Sequence, residues 1–297
     1  MSTKWAEKSD PEMSAREFAR LVLAERLEVV ESLLPRAAHH HEEDVENVHQ
    51  LRVGCRRALA ALRAFAPLMN AKPRKLKEWL SRIRDAAGPA RDIDVLLERF
   101  AGEEADAVTE YAVARLGEER RAAQRPLVKV AKQAVRGKLD QVVVQTLKSL
   151  GKKKSGRPKL GQFGHDAVLL AYTPFARLVQ LENPTADELH QFRIAGKRLR
   201  YSLEIFHGLF TDQLRDEIYP HIEILQEQLG EINDHATAQQ LYQTWLAEMS
   251  ANELAAEVAG RVIAEHKAML RLRNQFLRWW SAKRIAKIEA FFSILQG

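Results

Sequence analysis

One nine-residue phrase occurs twice in this sequence, and its residue types suit the binding of an anion. Residues 49–57 read HQLRVGCRR and residues 190–198 read HQFRIAGKR, so a histidine, a glutamine and two arginines recur in the same register 141 residues apart. The arginine side chain has a planar fork of N–H donors that matches the oxygens of a phosphate group. A repeated run of histidine and arginine therefore indicates an anion-binding site.

Both copies place their cations on one face of a predicted helix. Cations at i,i+4 repel each other, so such a stripe does not stabilise the helix and becomes favourable when an anion neutralises it. The first stripe extends over roughly 21 Å at about 1.5 Å per residue, which is long for a single phosphate. We therefore predict a linear polyanion as the ligand, bound by one stripe of His49, Arg52, Arg56 and Arg63 and a second of His190, Arg193, Lys197 and Arg200, with Arg57 and Arg198 to one side.

The face opposite the first stripe is apolar and is predicted to be core. Cys55, on this face, is the only cysteine in the sequence, which excludes an intrachain disulfide and is typical of a reducing compartment. The small pairs Gly54–Cys55 and Ala195–Gly196 indicate that another backbone approaches each helix closely. The predicted core residues of this face are Leu51, Cys55, Ala58, Leu62 and Phe65.

Apolar residues recur at helical spacing almost throughout the chain, which predicts an all-α fold. Residues 18–34, for example, read FARLVLAERLEVVESLL. The Asn-Pro-Thr at residues 183–185 predicts a helix start. Gly88–Pro89 and Gly230 are predicted to interrupt two further helices.

The chain divides into two halves that repeat the same order of helices. Residues 151–164 lack periodicity and predict a basic linker between residues 1–150 and residues 165–297. Phe65 matches Phe206 at the offset of 141 residues. We therefore predict a tandem duplication of a helical bundle, with the two bundles packed about a pseudo-twofold axis and both stripes lining a basic groove or pore.

Two clusters of histidine and acidic residues could bind a metal ion, but a structural role is preferred for each. Adjacent residues of a helix point apart, so residues 39–44, HHHEED, are interpreted as an exposed junction between helices. The second cluster is interpreted as caps at helix starts, where acidic groups accept hydrogen bonds from free N–H groups. Its members are Asp92, Asp94, Asp234 and His235, and no metal or other cofactor is predicted.

Two further basic segments have alternative interpretations. Residues 151–158, GKKKSGRP, lack the Lys-Ser/Thr pair and the preceding strand of a P-loop, so nucleotide hydrolysis is rejected. The cations there either extend an anion-binding surface or belong to a solvated linker. Residues 273–292 mix aromatic and basic side chains, as nucleic-acid or membrane contacts do, but at a helical spacing that favours core positions for Phe276, Trp279 and Phe291.

The composition places the protein in the cytoplasm and mildly favours an anionic partner. The net charge is +6, from 46 basic and 40 acidic residues. No apolar run approaches the ~20 residues of a membrane span, and the N-terminus lacks the apolar core of a signal peptide. The sequence has no paired carboxylate–metal signature of a phosphatase, so we predict no enzymatic activity.

The repeated phrase resembles the signature of the CHAD family, the conserved histidine α-helical domain, which is a doubled His-x-x-Arg-[Val/Ile]-x-x-[Arg/Lys]-Arg. The second copy continues as KRLRY over residues 197–201, and residues 88–96 and 229–234 also resemble the family. The resemblance implies one CHAD domain of two pseudo-symmetric, four-helix-type bundles around a basic central cavity that binds inorganic polyphosphate. By position it implies ligand contacts at His49, Arg52, Arg56, Arg57, His190, Arg193, Lys197, Arg198 and Arg200.

Two functional classes stay open. The first is a non-catalytic polyphosphate-binding module in the cytoplasm, associated with polyphosphate granules. The second is a helical nucleic-acid-binding protein, since the same cations would neutralise a nucleic-acid backbone.

Overall fold

The computed structural model describes residues 4–7, 9–41, 43–70, 73–102, 106–150, 158–181 and 183–295. Within these ranges the only β feature is an isolated bridge between Ser14 and Lys159, so the all-α prediction is confirmed. The α-helices are α1 (Ala15–His39), α2 (Glu46–Ala64), α3 (Arg74–Ala86), α4 (Gly88–Phe100), α5 (Ala107–Arg136), α6 (Leu139–Ser149), α7 (Leu160–Ala176), α8 (Ala186–Phe206), α9 (Tyr219–Glu248), α10 (Glu253–Trp279) and α11 (Ala282–Ile294).

The chain forms two compact units. Unit 1 comprises the described residues of Met1–Ala105, Thr109–Gly164 and Glu204–Leu209. Unit 2 comprises Asp106–Val108, His165–Leu203 and the described part of Phe210–Gly297. The first seven residues of the predicted linker, 151–157, lie outside the described residues.

In unit 1 the apolar faces of α1 and α2 pack against each other. Buried residues follow at intervals of three and four, as an amphipathic helix requires. A cluster of aromatic rings closes this core, with Phe65 in edge contact with Phe206 at a centroid distance of 5.6 Å. The two positions that the internal repeat aligns therefore touch each other. The buried residues include Phe18, Val22, Leu23, Leu27, Val30 and Leu34 of α1 and Val48, Leu51, Cys55, Ala58 and Leu62 of α2.

In unit 2 the helices α9 and α10 pack against each other, and α7, α8 and α11 also contribute buried aromatic side chains. Phe276 and Phe291 are buried, as predicted, but Trp279 is only half-buried. The guanidinium of Arg284 lies 4.8 Å from the centre of the Trp279 ring, while the neighbouring Trp280 is buried and donates its indole N–H to the carbonyl of Val179. The core prediction was wrong for Trp279 because adjacent helical residues face different directions.

The two glycines predicted to interrupt helices behave differently. Gly88 lies at the boundary between α3 and α4, whereas α9 continues without a break through Gly230. Proline has no N–H and its ring clashes with the carbonyl four residues earlier, so Pro89 ends α3. The aligned position in the second half is Glu231, which keeps its amide, and a glycine alone costs a helix only about 1 kcal/mol.

The prediction that four acidic and histidine residues cap helix starts was wrong. Asp94 lies inside α4, is buried, and forms an ion pair with Arg120 at 2.5 Å. Asp92 accepts a hydrogen bond from Arg52. Asp234 and His235 lie in the middle of α9, and the ring of His235 contacts the carboxylate of the buried Glu265. Asp92, Asp94 and His235 pair with side chains distant in sequence, whereas a cap prediction considers only local N–H groups.

The ion pair of Asp94 belongs to a buried polar network that joins three helices of unit 1. Arg120 also donates to Gln124, one turn later on α5, at 3.0 Å. Gln124 donates in turn to the carbonyls of Ala37 and Ala38 at 2.7 and 3.2 Å, which satisfies the last turn of α1. After α1 the chain passes through the junction 39–44, where His40 contacts Glu43 at the surface and Glu42 lies outside the described residues. The exposed-junction prediction is confirmed for the described part.

We predict that Asp94→Asn lowers the free energy of unfolding by about 3 kcal/mol, because it leaves the buried guanidinium of Arg120 without a counter-charge. Chemical denaturation followed by circular dichroism measures the change. The matched control is Glu119→Gln, which removes a half-exposed partner of Arg115 on the same helix and should cost less than about 1 kcal/mol. Equal losses in the two variants would contradict a structural role for the buried pair.

Candidate anion-binding site

Helix α2 presents the first stripe from a face that is well supported by packing. The opposite face is buried, as predicted, and burial raises the pKa of the Cys55 thiol to about 12, which leaves it a neutral core group. A Cβ at Gly54 would meet a side-chain atom of Val29 on α1 at 3.4 Å. The close approach predicted from the small residues is therefore made by side chains of α1 and not by its backbone. As a result, the face of α2 opposite the stripe lies in a tight helix–helix seam.

Two arginines that the sequence analysis missed complete the first stripe. His49, Arg52 and Arg56 are half-buried on α2, and the positive charge of Arg91 on α4 acts on His49 and Arg52, while that of Arg84 on α3 acts on Arg52. Gly88 makes room for this arrangement, since a Cβ there would lie 3.1 Å from the guanidinium of Arg52. Three helices therefore contribute cations to one site.

The carboxylates at this site lie outside the cations. Arg52 donates to Asp92 at 3.2 Å, and the side chain of Arg52 is 14% exposed against 65% for Asp92. Arg91 donates to Glu98 at 2.8 Å, with exposures of 15% and 54%. These exposed acids gain hydration when they move into solvent, so an incoming anion can take their place beside the arginines.

The charges at the site act directly on His49. Burial lowers the pKa of His49 first, and the positive charges of Arg91 and Arg56 lower it further, while Glu46 and Glu98 oppose them. The pKa of Arg52 is lowered by burial and by its neighbouring arginines, and Asp92 acts in the opposite direction. Within the described site, the protonated forms of His49 and Arg52 are therefore destabilised, and a bound anion would stabilise them.

The last two residues predicted for the first stripe have other surroundings. Arg57 forms an ion pair with Glu204 at 3.4 Å, and the side chain of Glu204 is only 1% exposed. Glu204, which aligns with Arg63 in the internal repeat, is thus a buried counter-charge within unit 1. Arg63 is exposed in the last turn of α2, roughly 10 Å along the axis from Arg56.

The second stripe begins with a well-formed helix start. Thr185 precedes α8 and accepts a hydrogen bond from the N–H of Glu188, whose carboxylate accepts from the N–H of Thr185 at 2.7 Å. This reciprocal arrangement is a capping box, and its hydrogen bonds lower the pKa of Glu188. The helix start predicted at residues 183–185 is confirmed, and it sets the register in which His190 and Arg193 share a face.

His190 and Arg193 line a cleft of about 660 Å³ in unit 2. Arg273 of α10 lies in the same cleft and donates to the carbonyl of Pro184 at 3.0 Å. Asn233 of α9 also lines it. Like the site of unit 1, this cleft combines the histidine and the first arginine of the phrase with an arginine from a distant helix.

The remaining cations of the second stripe follow along α8. Lys197 and Arg200 are half-buried and Arg198 is exposed, and none of the three lines the cleft of His190. Gln226 of α9 donates to the carbonyl of Arg193 at 3.2 Å, and its amide lies where a Cβ of Gly196 would be. Glycine at this position therefore lets α9 reach the backbone of α8, as the small pair predicted.

The missed residues had weak signals in the sequence. Arg91 lies in the stretch GPARDIDVL, and Arg273 opens the segment that mixes aromatic and basic residues. Arg84 stands in an ordinary amphipathic helix and carries no signal of its own. All three arginines act on residues that are distant in sequence, whereas helical periodicity relates only residues within a few positions of one another.

Neither a metal cluster nor a membrane-spanning helix is found in the part of the chain that the structure describes. No group of three or more histidine, cysteine, aspartate and glutamate side chains is placed to hold a metal ion there. None of the helices combines the length and the hydropathy needed to cross a bilayer.

The fold and the doubled cationic helices define an all-α protein with a repeated basic helix, and comparisons place the chain within a family. The family model for the CHAD domain matches residues 9–243, so this chain belongs to the CHAD family. A crystal structure of the CHAD domain from the plant Ricinus communis shares 24% identity, with a TM-score of 0.67 and coverage of 98% of this chain and 95% of that one. PptA from Streptomyces chartreusis shares 17% identity, with a TM-score of 0.51 and coverage of 88% and 100%. None of the curated proteins matches the sequence.

We predict that Arg57→Gln lowers the free energy of unfolding by about 1–3 kcal/mol, because the buried carboxylate of Glu204 loses a charged partner. The double variant Arg57→Gln/Glu204→Gln should recover most of the loss, since no buried charge remains unpaired. A double-mutant cycle by chemical denaturation checks this. Purely additive effects of the two substitutions would show that the pair has no energetic coupling.

Proposed function

We propose that this protein binds inorganic polyphosphate without catalysing its breakdown, through the cationic residues of α2 and α8. The observation that carries the proposal is the paired composition of the two units. In unit 1 a histidine and an arginine of α2 meet Arg91, and in unit 2 their repeat on α8 meets Arg273. Membership of the CHAD family supports the same conclusion.

The charge arrangement favours a multivalent ligand. Arg52, Arg56 and Arg91 share one region with only partly exposed side chains, and their mutual repulsion is offset by exposed acids alone. A chain of phosphates would bring several oxygens to these donors at once, and each charged hydrogen bond contributes roughly 1.5–3 kcal/mol. A single phosphate would leave most of the cations with their present partners.

Binding in this proposal is an exchange of anions. Phosphate oxygens displace Asp92 from Arg52 and Glu98 from Arg91, and the two carboxylates gain full hydration. Arg57 stays with the buried Glu204 and acts on the ligand only through its charge. Lys197, Arg198 and Arg200 extend the second contact surface along α8, and Arg63 extends the first.

The proposal includes a cytoplasmic protein that gathers at polyphosphate granules. The proposal requires only that the cationic stripe of each unit is accessible to the ligand. The pseudo-symmetric arrangement of the bundles and the basic central cavity stay predictions from the sequence.

Arg52→Gln and Arg193→Gln should each weaken polyphosphate binding by about 1–3 kcal/mol, because each removes a charged donor to phosphate while the fold keeps its apolar core. Isothermal titration calorimetry measures the affinity, and added salt should weaken it steeply because a polyanion releases counterions on binding. The matched control is Asp92→Asn, which removes the competing carboxylate and should tighten binding. Unchanged affinity in both arginine variants would refute the assignment, and tighter binding to single-stranded DNA than to polyphosphate of equal charge would favour the nucleic-acid class.

Polyphosphate binding should take up protons at His49. The pKa of His49 is lowered in the free protein, and a bound polyanion stabilises the protonated form, so binding raises this pKa. Linkage then requires affinity to rise as the pH falls through the bound-state pKa. Calorimetry in buffers of different ionisation enthalpy, between about pH 5.5 and 8, measures the uptake. His49→Gln should reduce it and the control His266→Gln, outside both stripes, should not; equal uptake in wild type and His49→Gln would show that His49 stays neutral.

A further inference from the structure

A second basic surface of unit 1 lies on α5, away from the repeated phrase. Between residues 120 and 138 the sequence has seven cations and no acid, more than the net charge of +6 of the whole chain. Five of these cations recur at intervals of three or four residues, so they share one helix face of roughly 22 Å at about 1.5 Å per residue. We call this the α5 basic face, and its residues are Arg121, Arg125, Lys129, Lys132 and Arg136.

The α5 basic face has no counter-charge of its own among the described residues. All five side chains are exposed, and none forms an ion pair or a side-chain hydrogen bond within the part of the chain that the structure describes. By contrast, Arg115, earlier on the same helix, is paired with Glu119. Like charges one turn apart weaken a helix, so this face carries a cost that an ordinary solvated face with interleaved acids avoids.

The face is held in place and shaped as a shallow cleft. The buried network of Arg120 and Gln124 fixes the first half of α5 against α4 and α1. At its other end Gly137 leaves room for the ring of Trp79, and Arg82 of α3 donates to Gln133. The five cations and Gln133 line a cleft of about 630 Å³, and no carboxylate is found in its lining among the residues that the structure describes.

We infer that the α5 basic face is a second contact surface for a long polyphosphate chain, in addition to the α2 stripe, and this inference rests on the proposed function. The length of the face suits several consecutive phosphates. Val128 is the one large apolar side chain among the described residues that line its cleft, which argues against a protein partner, whose contact core is usually apolar and poor in lysine. A chain that leaves the α2 stripe can engage α5 as an intramolecular event, which raises affinity without a new binding partner. Short phosphates cannot reach both surfaces, so the protein should prefer long chains.

The test compares ligands of two lengths on the full chain. The variant Arg125→Gln/Lys129→Gln/Lys132→Gln removes the centre of the face with helix-compatible residues, and Arg121→Gln/Arg136→Gln removes its ends. The matched control is Arg74→Gln/Lys75→Gln/Lys77→Gln, which removes three exposed cations from α3 of the same unit. Each protein is titrated with tripolyphosphate, with polyphosphate on the order of 100 units long, and with single-stranded DNA of similar charge.

We expect the α5 triple variant to bind the long chain about tenfold or more weakly at low salt, with a smaller salt slope, while its affinity for tripolyphosphate changes less than about twofold. The double variant should show a smaller loss of the same kind, and the α3 control should keep the long-chain preference. Wild-type affinity for the long chain in both α5 variants would overturn the inference and leave the proposed function intact. An equal loss in the α3 control would overturn it by showing an effect of net charge alone. Loss of DNA binding with unchanged polyphosphate binding would assign the face to nucleic acid, and no polyphosphate binding by wild type would refute the proposed function itself.

Discussion

Burial of the apolar face of α2 against α1 is the constraint on which the site of unit 1 depends. Each cation of the stripe repels its neighbours, and α2 stays helical because its other face contributes enough apolar burial to offset that repulsion. Small residues at Gly54 and Cys55 let α1 pack closely against α2, and on the other face the arginines are half-buried, with Gly88 of α4 against Arg52. A half-buried guanidinium gives up less hydration when it meets a phosphate oxygen, so the packing of the core also prepares the binding surface.

The placement of acids decides which cations can bind a ligand. Glu204 is buried and holds Arg57 as part of the fold, whereas Asp92 and Glu98 are exposed and hold Arg52 and Arg91 only until a stronger anion arrives. Glu204 cannot leave Arg57 without losing a counter-charge in a buried position, whereas Asp92 and Glu98 gain hydration when they leave their arginines. Chemically similar ion pairs therefore serve stability in one case and exchange in the other.

The two basic surfaces of unit 1 differ in how they would bind. The α2 stripe combines half-buried donors with a histidine whose pKa is lowered, so its contribution should depend on geometry and pH. The α5 basic face is exposed and without counter-charge in the described residues, so its contribution should come from counterion release and fall with salt. A protein with both surfaces can bind a short part of a polyphosphate chain at the α2 stripe and gain further affinity as the chain becomes longer.

Local periodicity made much of this protein predictable from its sequence. The amphipathic spacing of α1 and α2, the helix start at Thr185 and the shared face of His49, Arg52 and Arg56 all depend on neighbours within a few residues, and a helix repeats every 3.6 residues wherever it forms. Tertiary structure alone decided which charged side chains pair across the fold. Asp94 pairs with Arg120, and Arg91 and Arg273 reach the stripes from other helices, because charges far apart in sequence meet only when the core brings their helices together. A prediction from local sequence also failed at Gly230, where α9 continues without a break because its packing outweighs the low helix propensity of one glycine. Proline differs from glycine because it removes a backbone hydrogen bond of the helix, as at Gly88–Pro89.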